Sequence, residues 1–172
     1  MRRALAAASL LLLAGCSTTV QGTPTAATFD GSGNPDLRKL LTECDAVSDD
    51  QIAKTVGGDA IARAFFGAIC RWDVAGPAGT VKVSFNWFEN GSLDVERQTN
   101  EQLEYTVDDI TVQGRKAIRV QPPGDPASCG VSAGSPDSGV VGWWVQYQPG
   151  SAHPDPCEAA TALMDLTINL AR

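Results

Sequence analysis

Residues 80–88 read Thr80-Val81-Lys82-Val83-Ser84-Phe85-Asn86-Trp87-Phe88. The odd positions Val81, Val83, Phe85 and Trp87 are apolar, and Lys82, Ser84 and Asn86 alternate with them. A period of two places successive side chains on opposite faces, so this is a strand with one buried and one wet face. A strand of that kind belongs to an antiparallel sheet covered on one side, because parallel strands are buried on both.

The neighbouring segments extend the pattern. In 65–74 the even positions Phe66, Ala68, Cys70, Trp72 and Val74 form the more apolar face, and Gly76-Pro77-Ala78-Gly79 turns the chain into 80–88. Val107–Val112 and Lys116–Val120 predict a hairpin about Gln113-Gly114-Arg115. Ala127–Ala133 and Val140–Gln148 predict another across Gly134–Gly139.

Helices are expected on either side. Leu37, Leu40 and Leu41 stand at helical spacing in 36–43. Ser48-Asp49-Asp50-Gln51 forms a capping box ahead of Ile52, Ala53 and Val56, and Gly57-Gly58 stops that helix. Asn90-Gly91 turns, and Ser92 caps a polar helix to about Tyr105, with Leu93 and Leu103 as its apolar contributors. A last helix over 155–170 carries Ala159, Leu163, Leu166 and Leu170 on one side. The order αα, ββ, α, ββββ, α contains no βαβ unit. It predicts an α+β domain with a twisted antiparallel sheet of about six strands and helices on its apolar face.

The chain start carries the clearest functional signal. Met1-Arg2-Arg3 is followed by Ala4–Ala14, eleven residues without a charge, and then Leu13-Ala14-Gly15-Cys16 ends the run. Basic start, apolar run and small residues make a secretory signal. The run is too short to span the roughly 30 Å bilayer core as a helix. The terminal cysteine makes the segment similar to a bacterial lipobox. That resemblance implies a diacylglyceryl thioether on Cys16, cleavage between Gly15 and Cys16, and acylation of the new amine. Two or more acyl chains give stable anchoring, at roughly 0.8 kcal/mol per buried CH₂.

The expected organisation is a lipoprotein signal peptide over 1–15, a lipidated tether over 16–35 and one extracytoplasmic domain over 36–172. Residues 17–35 are rich in Thr, Ser, Gly, Ala and Pro, as a flexible tether is. Removing 1–15 takes away Arg2 and Arg3 and no acid, so the formal charge falls from −7 to −9. An acidic surface argues against nucleic acid and against docking on anionic lipid. The expected membrane contact is the lipid alone.

With Cys16 assigned to lipid, Cys44, Cys70, Cys129 and Cys157 remain. An even number in an exported domain predicts two disulfides, with three connectivities open. Pairing neighbours, Cys44–Cys70 and Cys129–Cys157, ties a helix to a strand in each case and is the expected arrangement. The rival, a catalytic thiol, needs a basic partner, and His153 is the single histidine. No C-x-x-C occurs and ligands are few, so neither a metal nor a cofactor is expected.

These features resemble an actinobacterial lipoprotein family of unknown function that includes the mycobacterial lipoproteins LprB and LprC. The lipobox, the Thr/Pro tether, Cys44 near a short helix ending at Gly57-Gly58, Cys70-Arg71-Trp72, Cys129 and Cys157 carry the resemblance. It implies a cell-surface location and four paired cysteines. It implies no established chemistry. A Mog1/PsbP-like sandwich is an expectation by analogy.

Candidate site residues are few. In Trp143-Trp144, Trp143 shares a face with Val141, Val145 and Tyr147 and reads as core. Trp144 shares the polar face with Gln146 and Gln148, where an aromatic among hydrogen-bonding groups can be a ligand platform or partner anchor. His153 stands in a proline-flanked loop, and no Gly-x-Ser-x-Gly elbow accompanies it. Asp49-Asp50 and Asp108-Asp109 lack calcium-loop spacing. The expected function is a membrane-anchored, non-enzymatic domain that binds a lipid-like ligand, an envelope component or a protein. The alternatives are an envelope hydrolase with a nonstandard site and an accessory subunit of an envelope system.

Overall fold

In the computed structural model, residues 42–66, 69–135 and 139–170 are described. The predicted strand over 80–88 is the third of seven antiparallel strands among them. These are β1 (Ala60–Phe66), β2 (Ile69–Gly76), β3 (Gly79–Phe88), β4 (Thr106–Val112), β5 (Arg115–Gln121), β6 (Ser128–Gly134) and β7 (Val140–Gln146). One sheet holds them in the order β1-β2-β3-β7-β6-β5-β4. Three helices complete the domain: α1 (Asp49–Thr55), α2 (Leu93–Gln102) and α3 (Pro156–Leu170), preceded by a 3-10 turn over Thr42–Asp45. The expected α+β class holds.

The expected strand over 65–74 resolves into a hairpin of β1 and β2, which supplies the seventh strand. β1 begins Ala-Ile-Ala-Arg-Ala, a run of weak strand formers on the sheet edge, so its sequence carries little period-two signal. The expected helix over 36–43 lies outside the described residues, apart from the start of the 3-10 turn.

The helices cover the sheet diagonally. α1 and α3 lie on one face, against the core formed by Trp72, Val83, Phe85, Val131, Trp143 and Val145. On α3 the buried stripe is Ala159, Ala160, Leu163, Met164 and Ile168, so it is rotated from the predicted one, and Leu166 is only partly buried. Trp143 stacks on Trp72 at 5.6 Å and packs on Phe85 at 4.9 Å between ring centroids. Its indole N–H donates to Thr167 Oγ1 of α3 at 2.8 Å, while that of Trp72 donates to Asp49 Oδ1 of α1 at 3.0 Å. Each buried indole thus keeps its polar group satisfied.

α2 lies on the opposite face, against β4, β5 and β6. Ser92 caps it as predicted, accepting from Val95 N–H at 3.2 Å. Its packing differs from expectation. Leu103 is 55% exposed and Val95 60% exposed. The inward stripe is Leu93, Glu96, Arg97 and Asn100, at the i, i+3, i+4, i+7 spacing of a helix face. Asn100 Nδ2 donates to Glu96 O at 2.8 Å, and Arg97 pairs with Asp109 of β4. A polar helix is held here by side-chain pairing over the buried Ile118 and Val120 of β5.

The capping box at α1 forms as predicted. Gln51 N–H donates to Ser48 Oγ at 3.3 Å, and Ser48 N–H donates to Gln51 Oε1 at 3.2 Å. Both expected disulfides are present. Cys44–Cys70 joins the 3-10 turn to β2, and Cys129–Cys157 joins β6 to the start of α3.

Candidate functional site

Among the described residues α2 covers the second face over β4–β6, and no helix covers the same face of β2, β3 and β7. Residues directly paired across antiparallel strands share a face. The registers place Gln146, Lys82 and Asp73 in one row across β7, β3 and β2. Trp144, Ser84 and Arg71 form the next row, and Gly142, Asn86 and Ile69 the third. Trp144 therefore sits in the middle row, in a field of hydrogen-bonding groups. Arg71, Asp73, Lys82 and Gln146 are exposed, and Trp144, Ser84 and Asn86 are half-buried.

Two glycines shape this field. A Cβ on Gly130 of β6 would stand 2.0 Å from Cε3 of Trp144 and 2.2 Å from its Cζ3. The indole is therefore bent over the bare backbone of Gly130, its cross-strand partner. A Cβ on Gly142 would stand 2.5 Å from Asn86 Oδ1, so the carboxamide lies over that backbone in the same way. Glycine inside a strand marks such close approach. Tyr105, just beyond α2, lies 6.3 Å from the indole at 38°. Among the described residues, no side-chain hydrogen bond or ion pair engages Arg71, Asp73, Lys82, Ser84, Asn86 or Gln146.

The reading of Trp143-Trp144 from strand period matches this placement: Trp143 is core and Trp144 lies on the polar face. The contribution of Gly130 and Gly142 was not anticipated. Its signal is two strand-interior glycines opposite an aromatic and an amide.

Other candidates come out differently. Cys16 and its lipobox, Leu13, Ala14, Gly15 and Cys16, lie outside the described residues. His153 stacks flat on Tyr147, with centroids 4.6 Å apart and planes within 5°. Its Nδ1 lies 2.7 Å from Pro154 O, and among the described residues no serine hydroxyl is hydrogen-bonded to it. The hydrolase reading thus gains no support from its only histidine. No group of three or more His, Cys, Asp or Glu stands ready for a metal among the described residues. Asp49 receives Arg63 as well as Trp72, and Asp108 receives Arg119, so these acids are structural.

An open groove of about 580 Å³ runs beside α3, lined by Thr55, Arg119, Thr161, Asp165 and Leu166 among others. A smaller hollow of about 370 Å³ adjoins it at Asp108, Gln121 and Asp155. Three of its charged groups are already engaged. Arg119 donates twice to Asp108, at 3.2 and 2.8 Å, and Asp155 Oδ1 caps α3 through Cys157 and Glu158 N–H. Thr55 and Thr161, which line the groove, likewise spend their hydroxyls on backbone carbonyls of their own helices.

Tyr147 also bears on stability through its hydroxyl. Tyr147 O–H donates to Val56 O at 3.1 Å, and its phenol is pushed up to about 12, first by burial and then by the charge of Asp155. Its folded value exceeds the unfolded value near 10, so its contribution is complete below pH ~10 and lost as pH rises through about 12. Tyr147→Phe is expected to cost about 1 kcal/mol at pH 7 by loss of the hydrogen bond. Urea denaturation of both proteins from pH 8 to 12 should show that gap shrinking above pH 10. A constant gap would contradict the assignment.

A protein from Mycobacterium leprae named "Putative lipoprotein LprB" is 27% identical over 171 residues, covering 91% of this chain and 86% of the relative. Proteins of the same name from Mycobacterium bovis and Mycobacterium tuberculosis H37Rv are each 26% identical over 177 residues, covering 97% of this chain and 95% of the relative. No solved structure matches, so the expected Mog1/PsbP likeness gains no support. The model of a family described as "Protein of unknown function (DUF3558)" matches residues 11–170, and the chain belongs to that family.

Proposed function

We propose that the protein is a surface lipoprotein held by acyl groups on Cys16 at the extracytoplasmic face of the cell membrane. In this reading 1–15 is the signal peptide, 16–35 the tether, and 36–172 a non-catalytic module that binds an envelope component. The observation that carries the binding role is the sheet face where Trp144 lies among polar side chains that make no side-chain hydrogen bond or ion pair among the described residues. The lipobox and the names of the relatives support the anchor. Two disulfides accord with an oxidising compartment. Among the described residues no helix is long and apolar enough to cross a membrane.

Cys16→Ala is expected to abolish the acyl mass on the protein. It should also leave the chain uncut, or release it from the detergent phase. Full detergent partitioning of that variant with an acyl mass would overturn the anchor. Native mass spectrometry of the purified chain, with recovery of its envelope partners, tests the binding role. Reproducible absence of both ligand and partner would count against it.

A further inference from the structure

We infer that the open face of β2, β3 and β7 is a carbohydrate-binding surface, with Trp144 as its stacking platform and a neutral envelope glycan as its ligand. The inference rests on the binding-module reading above and names the ligand class for that site.

The geometry sets what can lie there. Neighbouring strands are roughly 4.8 Å apart and same-face residues along a strand roughly 6.7 Å apart. Trp144, Ser84 and Arg71 therefore span roughly 10 Å across the strands, while Lys82, Ser84 and Asn86 run along β3. A matching ligand carries hydrogen-bonding groups at a similar density in two dimensions. It also needs one flat C–H face for the indole. Sugar rings have both, in the ring C–H groups and the hydroxyls around them.

The rival occupants fit worse. An acyl chain would cover Ser84, Asn86, Gln146 and Lys82 without giving them a partner, and each unpaired polar group costs free energy on burial. An added peptide strand uses a sheet edge, where backbone N–H and C=O groups are free, and this surface is a face. Protein partners favour a cluster of buried apolar anchors, whereas here Trp144 and its neighbour Tyr105 adjoin rows of mostly polar and charged side chains. The charges are nearly balanced, with Arg71 and Lys82 set against Asp73, which selects for a ligand of little charge. Gly130 matters for the same reason: its bare backbone admits the Cε3–Cζ3 edge of the indole, which any side chain there would block.

The test is retention of the detergent-solubilised full chain on cell walls of the source bacterium. The walls are used untreated, delipidated, protease-digested or oxidised with periodate, which cleaves vicinal diols. Retention is expected to survive delipidation and protease and to be lost after periodate. Trp144→Ala should weaken retention roughly tenfold or more, the loss typical of a central aromatic anchor. Trp144→Phe, which keeps a ring over Gly130, should retain most of it. Gln146→Ala removes an exposed side chain with no packing role and should weaken retention without moving Tm, which separates binding from folding.

Retention abolished by protease or by delipidation, and indifferent to periodate, would overturn the glycan while leaving the binding module in place. No retention on untreated walls would overturn both. Periodate-sensitive retention that ignores Trp144→Ala and Gln146→Ala would overturn this face as the site.

Discussion

With both disulfides reduced, the domain is expected to be unfolded at 37 °C. The two bonds close loops of 26 and 28 residues by sequence separation. In the chain-entropy model each contributes about 3.5 kcal/mol, so the pair supplies about 7 kcal/mol. Domains of this size are stable by roughly 5–15 kcal/mol in total. Losing both bonds therefore removes half or more of the margin, at a temperature where the margin is already smaller than its maximum. The single losses should be milder. Replacing either pair by Ala is expected to lower Tm by roughly 10–20 °C. Reduction should begin at Cys129–Cys157, because Cys157 is partly exposed beside the α3 groove while Cys44, Cys70 and Cys129 are buried. Thermal melts followed by circular dichroism, with and without a dithiol reductant, measure this. A fully reduced protein that melts within a few degrees of the oxidised one would contradict it.

Trp143→Ala is the second large effect, expected at about 3–5 kcal/mol, the range for truncating a buried aromatic. Three losses combine there. The stack on Trp72 and the contact with Phe85 disappear, and Thr167 Oγ1 loses its donor. The residue also joins the two parts of the sheet, since Phe85 of β3 and Val131 of β6 are its paired neighbours. The adjacent Trp144→Ala should cost much less, because that indole is half-buried on an open face. Urea titration of the two variants compares them directly. Equal shifts in midpoint would show that the two faces of β7 are buried alike, against the structure.

The contrast between those neighbours shows what strand period alone reveals. Val81, Val83 and Phe85 are buried and Lys82 is exposed, as the alternation in 80–88 dictates. Period two also separated Trp143 from Trp144. It could not show that Gly130 lies beneath the indole, because cross-strand partners are set by register between segments distant in sequence. α2 was legible as a helix through Ser92. Its packing was not, because Glu96, Arg97 and Asn100 look solvent-facing until Asp109 is placed beside them. β1 was lost to its alanines, whose strand preference is weak. Leucine spacing alone favours Leu166, whereas Ala160, Met164 and Ile168 fill the buried stripe of α3.

The pairing of β3 with β7 also bears on how the chain is built. β1–β3 form one meander and β4–β7 another, and among the described residues the β3–β7 ladder is their only strand pairing. Each disulfide is confined to one of these portions: Cys44–Cys70 to the first, and Cys129–Cys157 to the second and its closing helix. Both bridges can therefore form before the portions meet, and neither locks a wrong meeting in place. A chain made from its N-terminus must hold the apolar side and free edge of β3 in waiting until β7 arrives, since Phe88 pairs with Val140 and Lys82 with Gln146. Such non-local closure is slow and exposes a strand edge meanwhile. The seam is expected to close late and to be the part most open to misassociation, and among the described residues no disulfide crosses it.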